Sequence, residues 1–198
     1  MSNERIFFEE HISSLRNLTS LYQYINNNAT LMEPKTLLRA EYVLIISAFD
    51  NYIHQIVRKK IREAFFQGLP MPSNLNLPVS IFQLIHSTDN QLEQQEILDA
   101  GLREVLEKDS YQSPKSVEYA LSLISINRLW STIAPCMDDT AEHIKNQLAL
   151  IVKRRNQIAH EADLDYSTGF SRDINEQTIL DCREFLLKFV SCIDSRIP

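Results

Sequence analysis

The stretch KTLLRAEYVLIISAFDNYIHQIVRKKIREAFFQ, Lys35 to Gln67, decides the fold class. Its apolar residues Leu38, Tyr42, Ile45, Ile46, Phe49, Ile53, Ile56 and Val57 recur at steps of three and four, the period of a helix with one wide buried stripe. The run is also too long for a strand, which seldom exceeds about ten residues. Pro34 stands just before it and Gly68 just after, the residue types that favour a helix start and a helix stop. One long helix over 35–67 is expected.

The same period extends outward in both directions. Phe8, Ile12, Leu15, Leu18, Tyr22 and Ile25 mark a first helix over 5–27, weakened at Asn26-Asn27-Asn28. Residues 68–78 (GLPMPSNLNLP) read as a loop, followed by a short helical turn near 79–86 and a more polar helix over 90–108. Ser113 suits an N-cap with Pro114 at the first helical position, opening a helix that buries Val117, Leu121, Ile124 and Leu129 or Trp130. Asp138 or Asp139 would cap the next helix, about 139–163, and Ser167-Thr168-Gly169 marks a turn beyond it. Asn175 with Glu176 opens a last amphipathic helix, about 175–195, through Ile179, Leu186, Phe189, Val190 and Ile193. Pro34, Pro70, Pro72, Pro78, Pro114, Pro135 and Pro198 all fall where helices should begin or end. No repeat and no strand stands out. The expectation is all-α, an antiparallel bundle of five to six helices forming a single domain over 1–198.

Composition narrows the function. The chain has 198 residues, 44% hydrophobic and 23% charged, enough apolar mass for a real core. A net charge of −6 argues against broad coating of nucleic acid by counterion release, so any such contact should be small and local. Two basic clusters remain, Arg58-Lys59-Lys60-Ile61-Arg62 and Lys153-Arg154-Arg155, the first reading as a solvated helix face. Cys136, Cys182 and Cys192 are odd in number and lack paired spacing, so they read as small buried residues and not as a disulfide framework or zinc site. His11, His54, His86 and His143 lack metal-ligand spacing, and there is no Gly-rich phosphate loop or nucleophile elbow. No metal or cofactor is expected. The N-terminus does not resemble a signal peptide, and no run approaches the ~18 apolar residues of a spanning helix. A cytoplasmic protein without a membrane segment is expected.

The chemistry concentrates in Arg154-Arg155-Asn156-Gln157-Ile158-Ala159-His160-Glu161. Arg155 follows Ile151 by four and Val152 by three, so it shares their apolar face, where a guanidinium is costly unless paired. Asn156 and His160 are four apart, and the amide there could bond an imidazole nitrogen and fix its tautomer. Arg155 and His160 are five apart, roughly 140° around an ideal helix. Either the helix distorts near His160, or a complete site needs a second copy of the chain. An arginine and a histidine suit RNA transphosphorylation: the imidazole acts as general base on the 2′-OH or as general acid to the 5′-oxygen, and the guanidinium stabilises the pentacoordinate phosphate. The product would be a 2′,3′-cyclic phosphate.

The string Arg155-Asn156-Gln157-Ile158-Ala159-His160 resembles the Arg-x(4-6)-His motif of the HEPN superfamily, in its form with a polar residue after the arginine. The segment LLRAEYVLIISAFDNYIHQIVRK resembles the helix that bears a polar or acidic residue in the RiboL-PSP-HEPN branch, and the likeness spans roughly 35–195. It implies a helical, metal-independent endoribonuclease of prokaryotic toxin–antitoxin or phage-defence systems, with a site formed where two domains pair. Carried over, Arg155 and His160 are the catalytic pair and Asn156 the supporting polar residue. Asp50, four after Ile46, is a candidate partner orienting Arg155 or His160. Lys153 and Arg154 would bind backbone phosphates of the RNA substrate. Ala162 stands where one branch carries a nucleotidylated tyrosine, so that regulation is not implied. The expected partners are a second copy of the chain and an antitoxin or defence protein. The competing expectation is a non-catalytic helical interaction module in which Arg155 is a structural ion-pair residue.

Overall fold

The computed structural model describes residues 1–29 and 33–197; Pro198 lies outside them. The fold is all-α, and among the described residues there are eight helices where five to six were expected. They are α1 (Asn3–Asn28), α2 (Lys35–Phe66), α3 (Val79–His86), α4 (Gln91–Leu106), α5 (Pro114–Ser122), α6 (Leu129–Met137), α7 (Ala141–His160) and α8 (Glu176–Asp194). A two-residue antiparallel pair, β1 (Leu164–Asp165) and β2 (Phe170–Ser171), corrects the expectation of no strand. The turn expected at Ser167-Thr168-Gly169 closes this hairpin, with Gly169 at φ +75 and its N–H donating to the Asp165 carbonyl at 2.7 Å. The chain divides into two compact units, Met1–Asn51 with Trp130–Pro198, and Tyr52–Leu129.

In the first unit α1 and α8 run antiparallel, since Ser2 donates its N–H to Asp194 at 3.0 Å while Gln23 donates to Glu176 at the other end. Helices α2 and α7 are antiparallel too: the Tyr42 hydroxyl donates to the Ile151 carbonyl, and Arg39, earlier in α2, meets Asp163, later than α7. The buried side chains of this unit include Phe8 and Ile12, Ile45 and Phe49, Ile144 and Leu148, and Leu186 and Phe189. Each such side chain stabilises the fold by roughly 1.5–3 kcal/mol when fully buried. Phe189 is a hub, with Phe49 edge-on at 5.7 Å and Trp130 stacked at 6.0 Å. Arg183 of α8 is buried on Glu41 of α2, whose second oxygen accepts from the Thr19 hydroxyl at 2.6 Å. The pairing offsets part of the cost of burying both charges.

The second unit holds the rest of α2, with Tyr52, Ile53, Ile56 and Val57 buried, followed by α3, α4 and α5. Asn90 caps α4 by accepting from Leu92 N at 3.0 Å, and Ser113 caps α5 as expected, accepting from Ser116 N at 3.2 Å. The cluster at 58–62 is half-buried, with Arg62 on Asp99 at 3.1 Å and Arg58 at 3.8 Å, so it is not a plain solvated face.

Three further expectations change. The helix opened by Ser113 does not continue to Trp130: it stops at Ser122, and Ser125 and Arg128 adopt positive φ of 67 and 53 before α6 begins. Leu123, Ile124 and Ile126 stay buried across the break, so the apolar spacing persists where the helix does not. Pro135 lies inside α6 and not at a helix end. Thr140, not Asp138 or Asp139, caps α7, while Asp139 bonds the His143 ring, which holds its carboxyl below the usual range.

The cysteines give the clearest correction. Cys136 on α6 and Cys192 on α8 form a disulfide, Cα to Cα 5.7 Å, leaving Cys182 free and buried. Their 56-residue separation carries no local signal; packing of α6 on α8, where Lys188 donates to the Met137 carbonyl at 2.6 Å, brings them together. No helix among the described residues is long and apolar enough to cross a membrane.

Candidate functional site

Helix α7 positions the site. Thr140 accepts from His143 N at 3.2 Å to start it, and Ile144, Leu148 and Ile151 form its buried stripe. Burial then fades: Val152, Arg155 and Ile158 are half-buried, while Lys153, Asn156 and His160 are exposed. Arg155 therefore sits at the margin of the core and not within it.

His160 is the last helical residue. Beyond it the Asp163 N–H donates to the Gln157 carbonyl at 2.9 Å, a bond that closes the final turn, and Ala162 and Asp163 take left-handed φ of +52 and +57. The reversed chain carries the Asp163 carboxylate back beneath the helix. There, 1% exposed, it accepts from Arg39 Nε at 2.7 Å and from both terminal nitrogens of Arg154. Arg154 also donates to the Asp173 carbonyl at 3.1 Å. Its guanidinium is thus engaged on Asp163 and on the Asp173 carbonyl, whereas Lys153 is exposed.

Arg155 has a different environment. Its Nη1 donates to Asn156 Oδ1 at 3.1 Å and stands 3.4 Å from His160 Nε2. In the neutral ring Nε2 then accepts and Nδ1 carries the proton. Arg155 Nε is buried without a hydrogen-bond partner. Arg39, Arg154, Arg172 and Arg183 each meet a carboxylate, whereas Arg155 meets an amide and an imidazole. Two expectations change here. The 140° between Arg155 and His160 is closed within one chain by the reach of the arginine, with no helix distortion inside 141–160. Asn156 bonds Arg155 and not His160. Asp50 is half-buried on α2 with interactions of its own, and the bonds of Arg155 run to Asn156 and His160.

On the neighbouring side of α7 lies an open cleft of about 930 Å³ between the start of α2 and the hairpin. Ala40, Val43, Leu44 and Ile158 supply its apolar lining, and Lys35, Arg39, Arg172 and Asp173 its polar lining. Lys35 pairs with Asp173, which holds that carboxyl below its usual range. Sequence reading missed Arg39, Asp163 and Arg172. Arg39 and Asp163 are 124 residues apart, so neither carries a local sign of the other.

An all-α chain whose late helix α7 ends with a half-buried arginine beside an exposed histidine belongs to a helical class with a polar site at one helix end. Residues 9–198 match the family RiboL-PSP-HEPN, and the chain belongs to it, within the HEPN superfamily. No curated protein and no solved structure matches the chain.

Proposed function

We propose that this HEPN-domain protein is a metal-independent endoribonuclease that cleaves RNA by transphosphorylation. One observation carries the reading: Arg155 Nη1 lies 3.4 Å from His160 Nε2, and no carboxylate neutralises Arg155 among the described residues. In a chain of net charge −6, such a guanidinium beside an imidazole is a receptor for an anion. A phosphodiester fits it. The imidazole takes the 2′-hydroxyl proton as the 2′-oxygen attacks phosphorus; the 5′-oxygen departs and takes a proton from an acid. Arg155, with its unused Nε donor, stabilises the extra negative charge of the pentacoordinate phosphate. The products are a 2′,3′-cyclic phosphate and a 5′-hydroxyl.

The reaction has two proton transfers, and each chain offers one imidazole at this site. A second copy, pairing across a two-fold, supplies His160 as the complementary acid. Asn156 holds Arg155 in place, and Lys153 meets the flanking phosphate. We place the activity in the cytoplasm, within a prokaryotic defence or toxin–antitoxin setting, restrained by a partner protein of antitoxin type. The Cys136–Cys192 bond would there meet a reducing pool.

The test is cleavage of single-stranded RNA by purified protein and its His160→Ala form, each with chelator. Losing an acid–base group costs roughly 10²- to 10⁴-fold in rate. Equal cleavage by the two forms, or complete loss of activity to chelator, would refute the proposal.

A further inference from the structure

The cleft beside α7 adjoins the arginine–histidine pair without belonging to it. On an ideal helix Ile158, in its lining, lies about 60° around from Arg155 and roughly 4.5 Å along the axis. Along α7 Ile158 stands between Arg155 and His160, and Ala162 and Asp163 of the lining follow soon after His160. A phosphate held by that pair would leave its neighbouring nucleoside at the mouth of the cleft.

Two features of the lining point to what enters. Phe170, on β2, is 76% exposed, an aromatic face left to solvent in a lining that also carries Ala40, Val43, Leu44 and Ile158. Arg172, two residues on, holds its buried Nη1 3.5 Å from a Glu161 carboxylate oxygen, an ion pair without a formed hydrogen bond. A buried donor left unmade is costly and calls for an acceptor. The lining is otherwise balanced, with Lys35, Arg39 and Arg172 against Glu33, Asp163 and Asp173. A balanced lining favours a ligand held by stacking and a few directed bonds over one held by bulk charge. An unstacked base with one adjoining phosphate has that chemistry.

We propose that this cleft is a nucleoside subsite for single-stranded RNA, in which a base flanking the scissile phosphate stacks on Phe170 and Arg172 Nη1 donates to it or to its phosphate. The inference rests on the ribonuclease reading for its RNA and is separable from it by experiment.

The probe is a fluorescein-labelled eight-nucleotide single-stranded RNA, with affinity measured by anisotropy on full-length His160→Ala protein, which holds the strand uncleaved. Adding Phe170→Ala should weaken binding roughly tenfold or more, the effect of removing one stacking platform, while Phe170→Trp should retain it. Because the ring is exposed, Phe170→Ala leaves the fold intact, which circular dichroism checks. With only one or two phosphates engaged, raising salt from 50 to 200 mM should weaken binding by less than about tenfold. Binding unchanged by Phe170→Ala overturns the proposal and leaves the cleft to another occupant, such as a partner peptide. Cleavage by the parent protein with that result removes this inference alone. RNA binding lost on Phe170→Ala, in a protein that cleaves nothing, removes the ribonuclease reading and keeps the subsite.

Discussion

Arg154 and Arg155 are adjacent in sequence, and replacing each by alanine should give opposite results. Asp163 is 1% exposed as a side chain, and its partners Arg39 and Arg154 are 14% and 16% exposed, so all three charges lie largely out of water. Breaking a buried pair from one side costs about 3–5 kcal/mol, because the remaining charge stays buried without compensation. Arg154→Ala leaves Asp163 with Arg39 alone, so the cost should fall near the lower end, about 3 kcal/mol. Asp163→Ala strands both guanidinium groups and should approach about 5 kcal/mol. Arg155 is half-exposed and has no carboxylate, so Arg155→Ala removes stem packing and one bond to Asn156, a loss under about 1 kcal/mol. The sole tryptophan, Trp130, is buried in the unit that contains all of these residues, and its fluorescence in urea reports that unit. With a slope of about 2 kcal/mol per molar, Arg154→Ala should lower the midpoint by about 1.5 M and Arg155→Ala by less than about 0.5 M. Equal shifts, or a larger shift for Arg155→Ala, would refute the reasoning and favour the interaction module with a structural Arg155.

Two other outcomes follow from the fold. Burial pushes the Cys182 thiol up to about 12, so maleimide near neutral pH should label no cysteine in the native protein, one after denaturation and three after denaturation with reductant; native labelling of Cys182 or three labels without reductant would contradict the assignment. Ala162 at φ +52 occupies the position after a helix that glycine fills without strain, so Ala162→Gly should stabilise the protein by about 0.5–1 kcal/mol in the same urea titration; destabilisation would contradict the left-handed turn.

Much of the helical order was legible because burial and helical period coincide in the long elements. The stripe from Leu38 to Val57, the Ser113–Pro114 start and the Asn175 cap are local signals, and each has its expected place. The break at 123–128 was hidden because Ile124 and Ile126 remain buried and no glycine or proline marks the turn. Apolar spacing reports what faces the core, not whether the backbone between is helical. At Asp138-Asp139-Thr140 three residues could each cap, and the His143 ring draws Asp139 away, leaving Thr140 to do it.

The candidate site was legible in its residues and not in its geometry. Helical angles place Arg155 and His160 on different faces, but angles describe Cβ directions, and a four-bond side chain is not confined to its own. Nor could spacing show which of two adjacent arginines is neutralised. That depends on Asp163, carried back beneath α7 by two left-handed residues, and on Arg39 from a helix far earlier in the chain.

The Cys136–Cys192 bond closes a covalent ring, and every residue of α7 and of the hairpin lies on its circumference. Hairpin tips such as Tyr166–Gly169 are where proteases cut most readily. While the ring is closed, one such cut changes the order of connection without releasing a piece: α8 stays tethered through sulfur to the fragment that bears His160. Once the ring is opened by reduction, the same cut separates the two fragments and leaves only noncovalent packing between them. Redox state would thus decide whether a nicked chain is still a single molecule.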